Sequence, residues 1–158
     1  MIVYHYTTRD CAVQIINSGS IIPATANVPD SEKPVVWFSS NKTWEQTANK
    51  ALRLPNGSTR SLTFPEMVRF QLVRFAMPSD TLLTWPQIIE SAGISDDMAA
   101  GLSRAARKQG AKPSEWFGSL SPVPVGGLLM ETYQSGAWRH RPTSASALHR
   151  RRPMPLPG

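Results

Sequence analysis

Three short stretches of the sequence combine residue types that could together bind and cleave a nucleotide. His5 follows a β-branched and aromatic run, Ser39 ends an apolar run, and Glu131 interrupts a late apolar run. An imidazole can hydrogen-bond a sugar hydroxyl, a serine hydroxyl can orient a ligand, and a carboxylate can stabilise a developing cation. All three occur at predicted strands, whose ends and following loops often carry function.

The first stretch is His5-Tyr6-Thr7, at the end of a strand predicted over residues 2–6. Thr7 or Thr8 can cap the helix that follows, and Gly19 is suited to end it. The free N–H groups at that helix start could receive an anion or a ribose diphosphate. The alternative is a half-exposed strand histidine whose ring is satisfied by the backbone.

The second stretch is Ser39-Ser40-Asn41, directly after the apolar run of residues 35–38. That run predicts a central strand buried on both faces. Its polar end could position a ligand, or Ser40 or Asn41 could merely cap a helix predicted from residue 41 to residue 52. Glu45 falls on that predicted helix and is interpreted as a solvated surface charge, although it is a rival to Glu131.

The third stretch contains Glu131, the only carboxylate between Glu115 and the carboxy terminus. It lies in a predicted strand that is otherwise apolar, over residues 127–133. An alternating strand could turn this side chain to solvent. In a cleft, the same carboxylate could stabilise a cation or orient a nucleophile.

The elements that would position these residues predict an α+β fold. Strands are expected at both ends of the chain and over residues 67–76, with two helices within residues 84–110, and without regular βαβ alternation. We expect a split antiparallel or mixed sheet with flanking helices, in one domain over residues 1–140. Residues 141–158 form a basic, Pro- and Arg-rich stretch that is expected to be disordered.

Composition narrows the classes of function. The 158 residues carry a net charge of +6, which favours an anionic partner, although several of the arginines lie after residue 138. One cysteine, Cys11, excludes an internal disulfide and a Cys-rich zinc site, and no metal site is predicted. Neither a membrane-spanning run nor a secretory signal is visible, so a cytoplasmic protein without a membrane partner is expected. The oligomeric state is left open.

Together, the early strand ending His-Tyr-Thr, the helix leading into Gly19, the aromatic-Ser-Ser strand and the late strand glutamate resemble the ADP-ribosyltransferase superfamily. The resemblance implies an NAD substrate, with His5 and Thr7 at the adenosine-side ribose. It also implies that Ser39 or Ser40 braces the nicotinamide end and that Glu131 is catalytic with His5. An aromatic side chain would stack on the nicotinamide ring. The aromatic candidates are Tyr6, Trp37 and Trp44.

The function implied is transfer of ADP-ribose from NAD to a nucleic-acid or protein acceptor. Leu129 stands where protein-arginine modifiers carry Glu or Gln, two positions before Glu131, which favours an acceptor other than arginine. The same His-Tyr-Thr start occurs in intracellular domains of toxin and phage-defence systems. Two alternatives stay open: a glycosidase or nuclease-like enzyme that acts on nucleic acid without NAD, and a non-catalytic nucleic-acid or protein binding domain.

Overall fold

The fold is seen in a computed structural model that describes residues 1–149. In this part of the chain, four α-helices and several short 3-10 turns accompany the strands. The helices are α1 (Arg9–Ser18), α2 (Phe64–Val68), α3 (Trp85–Ala92) and α4 (Asp96–Lys108). The strands are β1 (Ile2–Thr8), β2 (Ser20–Ile21), β3 (Val36–Ser39), β4 (Ala51–Arg53), β5 (Thr59–Ser61), β6 (Leu72–Pro78), β7 (Leu83–Thr84), β8 (Trp116–Ser119), β9 (Val123–Pro124), β10 (Leu129–Gln134) and β11 (Ala137–Arg141).

The centre of the fold is a seven-stranded sheet in the order β11-β10-β6-β1-β3-β8-β7, in which every neighbouring pair is antiparallel. Two two-stranded sheets, β2 with β9 and β4 with β5, lie outside it. The α+β class predicted from the sequence is therefore confirmed. No helix within residues 1–149 is both long and apolar enough to cross a membrane.

The two faces of the sheet have different partners. Because directly opposed residues project to the same side, Tyr6, Arg74 and Glu131 share one face, which we call the cavity face. Phe75 and Met130 are opposed on the other face, which we call the α1 face, and they pack in a core with Ala12 of α1. The cavity face carries the candidate site, and the α1 face supplies the main apolar core.

The sheet has a weak junction between β1 and β3. These strands share one backbone bridge, between Tyr4 and Ser39, whereas β1 and β6 pair continuously from Ile2 to Thr8. His5 lies at this junction, where its ring nitrogen Nδ1 is 2.8 Å from the carbonyl oxygen of Trp37. The hydrogen bond of the His5 side chain thus takes the place of a backbone hydrogen bond between β1 and β3.

Local chemistry accounts for several elements. Thr8 is the extended residue before α1, but its side chain forms no capping hydrogen bond, so the expected cap is not observed. Gly19 ends the helix with φ of 84°, a left-handed conformation that glycine adopts without strain. The predicted strand over residues 67–76 is wrong at its start, because Thr63 and Glu66 form a capping box that begins α2. The strand proper begins at Leu72.

The helix predicted over residues 41–52 is also wrong. Asn41 accepts hydrogen bonds from the backbone N–H groups of Thr43 and Trp44, but only a 3-10 turn at Gln46–Ala48 follows, before β4. The indole of Trp44 is 3% exposed, and its Nε1–H donates to Asn49. The turn at Asn41 and the packing of Trp44 against Tyr6 override the helical propensity of the segment.

The expected disordered stretch from residue 141 needs correction. Arg141 ends β11, and a 3-10 turn follows at Ala145–Leu148. Leu148 is 4% exposed within the core below α1, and its carbonyl accepts a hydrogen bond from Arg9. The apolar burial of this one leucine explains why the chain stays packed to this point. Residues 150–158 lie outside the described residues.

Candidate functional site

A cavity of about 420 Å³ opens on the cavity face beside the junction of β1 and β3. Its size is within the range of about 300–1,000 Å³ that small-molecule sites occupy. Its walls combine aromatic side chains with a few polar groups, and α4 covers it with Leu102, Ala105 and Ala106. Two of the three predicted stretches meet here, because both His5 and Ser39 line the cavity.

Glu45 supplies the carboxylate of this cavity. It is 7% exposed and caps the 3-10 turn at Gln46–Ala48. The hydroxyl of Ser39 donates to Glu45 Oε2 at 2.7 Å, and the hydroxyl of Thr47 donates to Oε1 at 2.6 Å. Trp116 Nε1–H donates to Oε1 at 3.2 Å. These donors hold a buried acid in one orientation, so its interpretation as a solvated surface charge is wrong.

His5 is held as a neutral acceptor. A carbonyl oxygen can only accept, so the contact with Trp37 fixes the proton on Nδ1 and leaves Nε2 without one. Burial lowers the pKa of His5 from its ordinary 6.5, and the hydrogen bond to Trp37 opposes this only in part. The ring therefore offers Nε2 as a hydrogen-bond acceptor at neutral pH. The hydrogen bond to the Trp37 carbonyl also agrees with the alternative interpretation of His5, a strand histidine whose ring is satisfied by the backbone.

Tyr6 closes one side of the cavity. Its hydroxyl donates to the carbonyl of Asn41 at 2.5 Å and lies 3.3 Å from Arg74 Nη1. Burial raises the pKa of Tyr6 to about 12, so the phenol stays protonated. Its ring is 5.0 Å from that of Trp44, which lies behind it and is not part of the cavity wall. Tyr6 is thus placed to contact a ligand, and Trp44 supports it.

Glu131 lies elsewhere on the cavity face. Its Oε2 accepts from Arg74 Nε at 2.5 Å, and it pairs across the strands with Arg74 and His140. His5 is opposed to Phe75 and so leaves the sheet on the α1 face, and it lines the cavity at the open junction of β1 and β3. The prediction that His5, Ser39 and Glu131 meet in one cleft is therefore wrong for Glu131. Strand alternation places Glu131 and His5 on opposite faces of the sheet. The strands β6 and β1 lie between Glu131 and Ser39.

Arg74 binds Glu131 outside the cavity. It is 6% exposed, and its guanidinium lies 3.9 Å from the ring centre of Tyr4 and 4.5 Å from that of Trp138. Nη1 also donates to the carbonyl of Lys42 at 2.6 Å. This residue ties the loop before Glu45 to the sheet. The sequence signal for this residue is an arginine inside the apolar run of residues 72–77.

Two further predicted residues do not line the cavity. Thr7 is opposed to Val73 on the α1 face. The backbone N–H of Ser40 donates to the carbonyl of Glu115 at 2.9 Å, which joins β3 to the start of β8. Within residues 1–149, no three His, Cys, Asp or Glu side chains are grouped so as to hold a metal ion.

Comparison with protein-family models, curated proteins and solved structures gives no match to this chain. The function of this chain is therefore inferred from the cavity itself.

Proposed function

We propose that this chain is an ADP-ribosyltransferase-like enzyme that cleaves NAD in the cavity beside His5, with Glu45 as its carboxylate. The observation that carries the proposal is the meeting of His5, Ser39 and the buried Glu45 in one cavity. A histidine, a serine and a glutamate are also the residue types on which the resemblance to the ADP-ribosyltransferase superfamily rests. Here Glu45 takes the place of Glu131. The ADP-ribosyltransferase-like fold is part of the same proposal.

The walls of the cavity suit the nicotinamide end of NAD. Tyr4, Tyr6, Trp37 and Trp116 all line it, and nicotinamide is a flat ring that stacks on such faces. Trp37 and Trp116 pack edge to face with their ring centres 6.0 Å apart, which fixes both indoles. A rigid aromatic wall lowers the entropic cost of ordering the ligand.

The reaction would break the bond between ribose C1′ and the nicotinamide nitrogen. The electron pair of that bond leaves with nicotinamide, whose ring becomes neutral, and positive charge develops on the ribose. The Glu45 carboxylate would offset this charge, and its three side-chain donors keep it aimed without reorganisation. An acceptor nucleophile would then bond to C1′ and release its proton.

His5 has a positioning role in this scheme. Its neutral Nε2 can accept a hydrogen bond from a ribose hydroxyl, while Nδ1–H stays bound to Trp37. An acceptor also avoids placing a second positive charge beside the developing cation.

The test is nicotinamide release from NAD, followed by chromatography, with and without oligonucleotide or protein acceptors. Glu45→Gln is expected to lower kcat by about 100-fold or more, the range found when one group that stabilises transition-state charge is removed. Glu131→Gln is the matched control, because it removes a mostly buried carboxylate that lies outside the cavity. It is expected to keep kcat within about threefold wherever the protein is folded.

The opposite results would contradict the proposal. If Glu131→Gln abolishes nicotinamide release while Glu45→Gln retains it, the acid has been misassigned. If the folded wild-type protein releases no nicotinamide with any acceptor but degrades nucleic acid without NAD, the glycosidase or nuclease-like alternative is correct. Circular dichroism of each variant separates loss of chemistry from loss of fold.

A further inference from the structure

A second cavity, of about 700 Å³, lies on the other side of α4. Leu102 and Ala106 of this helix face the first cavity, whereas Ser103 and Arg107 line the second. Neighbouring residues of β8 divide in the same way, with Trp116 in the first cavity and Phe117 in the second. One helix therefore separates the two cavities.

The second cavity has a basic rim. Arg107 and Lys112 line it, both are exposed, and neither forms a salt bridge with any residue in the described range 1–149. The surrounding sequence contains no acid between Asp97 and Glu115, but it carries four cations. These cations are Arg104, Arg107, Lys108 and Lys112. The helix dipole explains cations in the last turn of α4, but Lys112 lies beyond the helix end.

The remaining lining has hydrogen-bond donors and an aromatic ring. Thr84, Ser103 and Ser114 contribute hydroxyl groups, which can donate to phosphate oxygens. Trp85 is half-buried, and its ring is held perpendicular to that of Trp116 at 5.1 Å between centres. A fixed indole beside exposed cations is the combination that binds nucleobases and phosphates of single strands.

We propose that this second cavity, the basic groove, binds single-stranded nucleic acid. Arg107 and Lys112 would contact two phosphates, and Trp85 would contact a base. The nucleic acid bound in the groove would then serve as the acceptor of ADP-ribose. This role rests on the proposed function, because it requires that NAD is cleaved in the first cavity, on the other side of α4. The binding itself does not depend on that reaction.

The experiment measures binding of a fluorescein-labelled 12-nucleotide single strand to the full chain by fluorescence anisotropy, at several salt concentrations. The test variant is Arg107→Gln with Lys112→Gln. The matched control is Lys33→Gln with Arg53→Gln, which removes the same charge from exposed positions outside the groove. Circular dichroism checks that both variants are folded.

The size of the expected effect follows from counterion release. Each phosphate contact on a single strand contributes about 0.7 to the slope of log K against log salt. Loss of two contacts is expected to lower the slope by about 1.4 and to weaken binding about 25-fold at 0.1 M salt. The control pair is expected to change the affinity by less than about threefold.

The other outcomes overturn the proposal. Equal weakening by the two pairs means that net charge, and not the groove, attracts the strand. Absence of binding by the wild type, or equally tight binding of heparin, excludes a nucleic-acid site. Binding that follows the expected pattern in a protein that releases no nicotinamide would contradict the proposed function and leave the groove assignment in place.

Discussion

The ion pair between Arg74 and Glu131 gives the sharpest test of which glutamate is structural. The two side chains are 8% and 23% exposed, and they join β6 to β10 at 2.5 Å. Glu131→Leu would remove the charge and the acceptor while keeping a strand-compatible side chain. The guanidinium of Arg74 would then keep only neutral partners, the Lys42 carbonyl and the Tyr6 hydroxyl among them.

The magnitude follows from this geometry. Removing one member of a fully buried pair costs about 3–5 kcal/mol, because the other charge is left uncompensated. The partial exposure of Glu131 lets water approach Arg74, so we expect a loss of about 2–3 kcal/mol in the free energy of unfolding. For a domain of this size, each kcal/mol lowers Tm by about 2–4 °C, which gives a drop of about 4–12 °C.

Thermal unfolding at pH 7, followed by circular dichroism, measures this drop. Glu90→Leu is the control, because Glu90 is exposed on α3 and forms no salt bridge with any residue from 1 to 149. Arg74→Met combined with Glu131→Leu completes a double-mutant cycle and should recover part of the loss. A Tm change below about 2 °C in Glu131→Leu would refute the reasoning.

Two further predictions concern His5 and Leu148. Burial lowers the pKa of His5 in the folded protein. As the pH falls below about 6.5, the imidazole is therefore protonated in the unfolded chain before it is protonated in the folded one. The free energy of unfolding decreases over this range, until the pH falls below the pKa of His5 in the folded protein. His5→Gln should reduce the decrease in Tm between pH 6.5 and pH 5, whereas His140→Gln, at an exposed position, should not; equal slopes in both variants would contradict the assignment. Leu148→Ala should cost about 2–4 kcal/mol in urea unfolding, since Leu148 is 4% exposed in the core. Leu129→Ala, at a position 60% exposed, is its control, and equal small losses would mean that residues 145–148 contribute little.

The parts of the fold that depend on local chemistry could be predicted from the sequence. Gly19 ends α1, the Ser135-Gly136 turn joins β10 to β11, and the acidic start and basic end of α4 agree with its dipole. These signals act within a few residues. The capping box at Thr63 and Glu66 was equally local, and it would have shown that α2 precedes β6.

The site could be predicted only in part, because its decisive contacts join distant residues. His5 and Ser39 were found from strand ends, and both line the cavity. Glu45 was missed because its burial depends on Trp116, which is 71 positions away in the sequence. Glu131 was overvalued for the same reason, since its partner Arg74 is separated from it by 57 positions.

The single backbone bridge between β1 and β3 affects how this site could diversify. The spacing of the two strands there is set by the His5 ring and the Tyr6 hydroxyl rather than by a continuous ladder. Exchanging these few side chains could widen or narrow the binding space for a ligand of another size. The continuous ladders on either side, β1 with β6 and β3 with β8, do not depend on these side chains.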